Sequence, residues 1–301
     1  MDLLIVIFPV FFIFAVGYAG QKLIGFDIRT ISTAALYLMS PFLSFRTFYT
    51  NPLTMDYFYI ILFSVILSIV LFFIVWILSF AMKATRSERS AMILGAVFMN
   101  SGNYGAPVVL FALGAIGFDY AVIMMVFQSL LMNSFGIFFA SIGGQERANW
   151  KDALQRVAKM PLIYAAAFGI ALNLMHVSIP SLFMDGISLV ADASIPTVML
   201  VLGMQLATIV RKKVTYRYVT AVAILRMFIS PIVATAILFF MPVNDTLRNV
   251  MIIQASMPAA ANTTMFALQF GTEPDLVSFT TLITTLLSIV TIPVILFFIG
   301  I

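Results

Sequence analysis

Apolar runs long enough to cross a bilayer recur from end to end of this 301-residue chain, with only short polar segments between them. A transmembrane helix needs about 20 mainly apolar residues. Ten runs meet that requirement, at roughly 2–20, 30–49, 57–82, 90–116, 119–142, 160–176, 181–209, 218–241, 247–270 and 276–300. Charged residues make up 9% of the chain, against about 25% in a soluble domain. The expected fold class is therefore an all-α polytopic membrane protein with ten transmembrane helices and no soluble domain, its surroundings a lipid bilayer. The first run contains Leu3 to Phe14, which has the length of a signal-peptide core. It is preceded by Asp2 rather than by Lys or Arg, and no small-x-small cleavage pattern follows, so it reads as a retained span.

Charge gives an orientation. Of the 16 Lys and Arg residues, 13 fall in the connections between runs 1 and 2, 3 and 4, 5 and 6, and 7 and 8: Lys22 and Arg29; Lys83, Arg86 and Arg89; Arg147, Lys151, Arg156 and Lys159; Arg211, Lys212, Lys213 and Arg217. The opposite face receives only Arg46 and Arg248. The positive-inside rule makes those four connections cytoplasmic and puts both termini on the non-cytoplasmic side of a cell membrane. The last connection, with Glu273 and Asp275, departs from the pattern. The longest polar segment, Gly143 to Lys159, reads as a basic linker with an amphipathic turn from Trp150 to Val157.

Composition also removes several chemistries. The chain has no Cys and a single histidine, His176, so disulfides and thiolate- or His-built metal centres are excluded, and neither a metal nor a cofactor is expected. No H-E-x-x-H or G-x-S-x-G occurs, which leaves an intramembrane hydrolase without its parts. The net charge of +4 is distributed by topology, with no basic stripe interleaved with aromatics, so nucleic acid is not an expected partner.

Two polar breaks interrupt the apolar pattern. The first is Asn100-Ser101-Gly102-Asn103-Tyr104-Gly105-Ala106-Pro107. The second runs from Gln254-Ala255-Ser256-Met257-Pro258 to Asn262-Thr263-Thr264. Irregular backbone at membrane depth survives only where protein or an aqueous cavity surrounds it. Asn100 lies about 11 residues past Arg89, or roughly 16 Å into the span at 1.5 Å per residue, close to the middle of a hydrocarbon core about 30 Å thick. Sliding the chain on itself by 152 to 156 residues superposes the two breaks and brings Pro9 onto Pro161, Gly17 onto Gly169, Pro41 onto Pro196, and Phe111-Ala112-Leu113 onto Phe266-Ala267-Leu268. Each half, 1–152 and 153–301, holds five runs. An odd number makes the second half enter the membrane from the opposite side, so the expected architecture is a pair of inverted repeats with broken helices 4 and 9 meeting at the midplane.

A half-helix that starts at such a break presents unpaired N–H groups and the positive end of its dipole. Pro107 and Pro258 suit the first turn of these half-helices, since proline has no N–H to lose. Asn100, Ser101, Asn103, Tyr104 and Gly105 on one side, and Gln254, Ser256, Asn262 and Thr263 on the other, form a candidate site that holds a carboxylate through amides, hydroxyls and helix ends. The same residues also serve simply to cap kinked helices.

The pattern Asn100-x4-Gly105-x-Pro107, followed in the other half by Gln254-Ala255-x-x-Pro258, resembles the auxin efflux carrier family of membrane transporters, over essentially all ten runs. The resemblance implies that helices 4 and 9 cross at Pro107 and Pro258. It implies a transport part of spans 3–5 and 8–10 that moves like an elevator against a scaffold of spans 1, 2, 6 and 7, with a homodimer formed through the scaffold. Asn100 matches the family asparagine associated with a substrate carboxylate. The chain lacks the long loop of the plant carriers between spans 5 and 6, and bacterial relatives are associated with malate, malonate and similar acids, so a small organic anion is the implied substrate.

Outside the motifs, Arg226 lies about nine residues into span 8, where it either attracts an anion or pairs with Asp192. Asp192, just before Ser194 and Pro196, is either a coupling-proton carrier or a scaffold carboxylate. Asp185 is interfacial. Gln128 and Asn133 are candidates to line the cavity. The row Thr280, Thr281, Thr284, Thr285 and Ser288 falls on one helix face and reads as a packing surface. Two alternatives stand beside an anion carrier. One is a sodium-coupled symporter of the bile-acid type, which the absence of a carboxylate at the breaks disfavours. The other is a non-transporting sensor or channel on the same frame.

Overall fold

The computed structural model describes residues 2–144, 155, 157–208 and 214–301, with side chains from residue 7 onward. Arg147, Lys151, Arg156 and Arg211 to Lys213, with most of the expected turn from Trp150 to Val157, lie outside the described residues.

The described chain is helical throughout: α1 (Asp2–Ile24), α2 (Ile28–Ala34), α3 (Ser40–Thr50), α4 (Met55–Ala81), α5 (Arg86–Val97), α6 (Ala106–Leu131), α7 (Ile137–Gly143), α8 (Pro161–Leu174), α9 (Ser181–Thr208), α10 (Tyr216–Ile224), α11 (Ser230–Phe239), α12 (Asp245–Ala255), α13 (Asn262–Phe270) and α14 (Pro274–Phe298). Single π-turns join α2 to α3, α6 to α7 and α10 to α11, and another, Ser101–Gly105, leads into α6. Thr85 starts α5 with a full capping box: its hydroxyl accepts from the Glu88 N–H while the Glu88 carboxylate accepts from the Thr85 N–H. Among the described residues the one β feature is an isolated antiparallel bridge between Met99 and Ala259.

Among the described residues six stretches are apolar and long enough to span a membrane: Ile7–Ile24, Met55–Ala81, Ser101–Gly143, Ser181–Thr208, Tyr216–Phe239 and Pro274–Phe298. The third has 43 residues, and unbroken it would reach roughly 65 Å, about twice a bilayer core. Gly114 divides it, with φ 70° and ψ −162°, a conformation that glycine adopts without the cost a Cβ would bring. The division falls close to where the fourth and fifth apolar runs part. The remaining runs are shorter or interrupted: α8 has 14 residues, and α5, α12 and α13 have 12, 11 and 9 because the polar breaks end or begin them.

Much of the exterior is greasy. Phe12, Leu23, Phe183, Leu189, Phe239 and Phe298 are all more than half exposed. So much exposed apolar surface fits acyl chains and would be an aggregation hazard in water. Beneath it, α1 lies along α9 and α3 along α8. Between helices already solvated by apolar lipid, close contact depends on small residues at the seam. A Cβ on Gly17 would sit 2.2 Å from the Leu200 carbonyl oxygen, and one on Gly203 would sit 2.1 Å from that of Phe14, so α1 and α9 touch backbone to backbone through two glycines. Gly169 of α8 meets α3 in the same way, 2.7 Å from the Phe45 oxygen. That second seam is also hydrogen-bonded, with Asn173 Nδ2 donating to the carbonyls of Tyr49 at 2.7 Å and Asn51 at 3.0 Å. A second set of contacts joins α4 to α5, α5 to α7 and α14, α11 to α12, and α13 to α14.

Replacing Gly203 by Val should force α1 and α9 apart and destabilise the protein by about 1–3 kcal/mol, the usual cost of overpacking. A thermal melt of the detergent-purified variant that coincides with the wild type would contradict this seam.

Candidate functional site

The two polar breaks lie side by side. α5 stops at Val97 because Phe98 is extended (φ −95°, ψ 115°), and α12 stops at Ala255, ahead of Pro258. Between the helix ends the strands of the bridge exchange bonds: Asn100 N–H donates to the Pro258 carbonyl at 2.9 Å, and Ala260 N–H to the Phe98 carbonyl at 2.9 Å. Ala259 N–H donates to Thr284 Oγ1 at 3.2 Å. The helical pattern resumes at Ser101 on one side and at Asn262 on the other.

The prolines therefore do different work. Pro107 stands in the first turn of α6, as its chemistry suggests. Pro258 does not open α13, which begins four residues later at Asn262; it sits in the extended segment, where it ends α12 and offers its carbonyl to Asn100. The expectation that both prolines start half-helices is corrected on this point.

A cavity of about 150 Å³ lies against the paired breaks. Asn100, Ser101, Gly102, Asn103 and Asn262 line one wall, and Gln128, Ser129 and Asn133 from the C-terminal part of α6 and the turn after it line another. Leu43, Pro161 and Ser194 are among the residues of α3, α8 and α9 that close it. Among the described residues, no Asp, Glu, Lys or Arg lines it. Asn100 is 5% exposed and Gln128 3%, and the side-chain NH₂ groups of both have no protein hydrogen-bond partner. A buried amide left unpaired costs about 1–3 kcal/mol, so two of them beside one cavity form an acceptor-seeking site. In the turn from Ser101 to Gly105, which contributes Ser101, Gly102 and Asn103 to the lining, Ser101 N–H donates to the Met99 carbonyl and Gly105 N–H to that of Asn100, both at 2.9 Å, while the N–H groups between them have no partner within the first turn.

Other candidate residues support this wall from behind. Gln254 is fully buried and its Nε2 donates to the Ser101 carbonyl at 3.3 Å. Gly105 gives it room: a Cβ there would lie 2.2 Å from Gln254 Oε1. Tyr104 points away from the cavity, stacked on Phe14 at 5.0 Å between ring centroids, with its hydroxyl 2.7 Å from Ser288 Oγ. Ser256 and Thr263 bond back to the carbonyls of Ile252 and Ala260. These five are placed as supports rather than as lining. Thr284 and Ser288 belong to the hydroxyl row of α14, and through Ala259 and Tyr104 they hold the breaks, a role beyond plain packing. Ser40 and Ser194, which were not among the expected site residues, meet across the cavity with their hydroxyls 3.2 Å apart. They lie 154 residues apart, within the repeat spacing, which is the one sequence signal that could have flagged them.

The charged candidates lie elsewhere. Arg226 does not pair with Asp192 and does not line the cavity. It is completely buried, with Nη1 donating to the carbonyls of Ala96 at 3.0 Å and Val97 at 3.5 Å, and Nη2 to Ser230 Oγ at 2.6 Å and to the Ala255 carbonyl. Asp192 instead bonds Arg46, Oδ1 to Nη1, at 2.6 Å, and its side chain is 69% exposed. An exposed pair of this kind contributes about 0–1 kcal/mol and offers none of the burial that a proton-carrying carboxylate needs.

Comparison with known proteins decides the family. Residues 2–296 match the model of a family described as membrane transport protein. The chain belongs to this family, that of the auxin efflux carriers. Two relatives of this chain are named uncharacterized transporters: one from Methanothermobacter thermautotrophicus, 28% identical over 205 residues, 67% of this chain and 65% of its own length, and one from Methanocaldococcus jannaschii, 26% identical over 221 residues, 70% and 68% of the two chains. The first match thus spans just under two thirds of that relative. A third, named "Putative malonate transporter", comes from Rhizobium meliloti and is 24% identical over 298 residues, 95% of this chain and 92% of its own. The chain is a multi-pass membrane protein of a transporter family.

Changing Gly105 to Ala should push the Gln254 amide off the Ser101 carbonyl and lower stability by about 1–3 kcal/mol. Gln254→Ala removes the obstruction, so the double variant should lose less than the sum of the two single losses. Strictly additive losses in denaturation midpoints would dissociate the two residues.

Proposed function

We propose that this carrier moves a small organic anion by alternating access, with a carboxylate held in the cavity beside the paired breaks. The observation that carries the reading is the pair of unpartnered amide donors, Asn100 and Gln128, in a cavity that no described acidic side chain lines. Hydrogen-bond donors and helix N-termini accept an anion without a buried cation at the contact. The name of the Rhizobium relative favours a dicarboxylate the size of malonate.

Elevator motion has support of its own. The cavity lies between the two breaks and α6 on one side and α3, α8 and α9 on the other, so a ligand there touches both groups. In this reading spans 3–5 and 8–10 carry the ligand past spans 1, 2, 6 and 7. The inverted repeat explains why α1 pairs with α9 while α3 pairs with α8: these are the same contact seen twice. Gly17 and Gly169, 152 residues apart, each lie at one copy of it. The termini are assigned to the non-cytoplasmic side by the basic connections. The exposed apolar side chains of α9, Leu182 and Phe183 among them, suit either lipid or a second copy in a dimer.

Asn100→Ala and Gln128→Ala should each weaken binding at least tenfold, about 1.4 kcal/mol, in a ligand-induced melting shift with malonate or malate. Both variants should also lose counterflow of labelled substrate from proteoliposomes while still folding. An Asn100→Ala variant with undiminished counterflow would remove this site, and saturable counterflow by the wild type separates a carrier from a channel or a sensor.

A further inference from the structure

The guanidinium of Arg226 sits where the C-terminal ends of two interrupted helices converge. Ala96 and Val97 are the last two residues of α5, and Ala255 is the last of α12. The final carbonyls of a helix have no partner within it and together carry the equivalent of about half a negative charge. Two such ends brought together repel each other and call for a positive charge between them. In carriers with discontinuous helices, carbonyls of this kind hold a coupling cation drawn from solution.

We propose that Arg226 is a tethered substitute for that cation: its guanidinium fills a cation site built from the carbonyls of Ala96, Val97 and Ala255 and the hydroxyl of Ser230, so that the paired breaks assemble without sodium. The geometry fits a planar fork better than a point charge. One Nη serves the end of α5 and the other the end of α12, so a single side chain ties the two helices together. Ser230 completes the cluster by donating its own proton to Ala255 at 2.7 Å while accepting from Nη2. All four oxygens are neutral, and among the described residues no carboxylate bonds the guanidinium. Its counter-charge is the pair of helix ends. At 0% exposure the group is shut off from exchange with solvent cations. The same position in a chain without this arginine would leave oxygen ligands from two helix ends, the ligand type that hard cations take.

The test uses purified full-length protein in detergent, without substrate, so that its outcome is independent of the carboxylate reading above. The wild type should melt at the same temperature in sodium chloride and in choline chloride of equal ionic strength. Arg226→Ala should melt roughly 5–10 °C lower, since it leaves buried carbonyls unpaired. Sodium or millimolar guanidinium, relative to choline, should then raise the melting temperature of the variant saturably while leaving the wild type unmoved. If the Ala variant does not fold, Arg226→Lys and Arg226→Met carry the test, because Lys keeps the charge and Met keeps only the length. The Lys variant should melt well above the Met variant. A wild type stabilised by sodium over choline overturns the proposal. So does an Ala variant that neither cation stabilises, or a Met variant that melts at or above the Lys variant.

Discussion

The structure depends on one constraint: backbone N–H and C=O groups at membrane depth have no water to bond. Two helices stop in the middle of the protein, and each stop frees amides and carbonyls that would otherwise cost several kcal/mol apiece in hydrocarbon. The breaks answer each other. Asn100 and Ala260 donate across the bridge to Pro258 and Phe98, Thr284 receives Ala259, and Arg226 collects the carbonyls at the ends of α5 and α12. Each break supplies hydrogen-bond partners to the other. Together they leave a small remainder of unpaired donors on one side, and that remainder is the candidate site.

Polarity at the breaks is thereby sorted by direction. Helix C-termini face a buried arginine, while residues that follow the breaks, with the amides of Asn100 and Gln128, line a cavity that has no charged side chain among the described residues. A fixed cation handles the negative ends, and neutral donors are left for the ligand. Under the proposed function, this division lets an anion be held although no described lysine or arginine lines the cavity. The supporting residues, Gln254 behind Ser101 and Tyr104 wedged between Phe14 and Ser288, hold the donors in place from the side remote from the cavity.

The helices that close the cavity opposite the breaks obey a different rule. α1 with α9 and α3 with α8 meet through glycines at van der Waals contact, with little polar chemistry at the first seam and a few buried hydrogen bonds at the second. Small residues at a seam give rigid packing between helices that lipid would otherwise solvate equally well. A closely packed, mainly apolar wall facing a hydrogen-bonded, polar one suits the sliding motion proposed above.

Much of this was legible in the sequence. The apolar runs imposed helices, because at about 20 residues each they have the length at which a helix, pairing all its backbone groups within itself, crosses a bilayer, and the breaks stood out because they interrupt that pattern with Asn, Gly and Pro. Asn100, Ser101, Asn103 and Asn262, with Gln128 and Asn133 at α6 and the turn after it, were candidates for the cavity from their type and depth, but so were Gln254, Ser256 and Thr263, which lie behind its wall. What only the tertiary structure decided was direction. Periodicity does not say which neighbour a side chain meets, so Arg226 was compatible with Asp192 until the ends of α5 and α12 were seen to enclose it. In the same way Tyr104 looked like a ligand until it turned toward Phe14, and Ser40 and Ser194, from helices about 150 residues apart, looked like nothing at all. Local chemistry is written in the order of the residues, whereas pairing across the breaks is a property of distances that chain order does not contain.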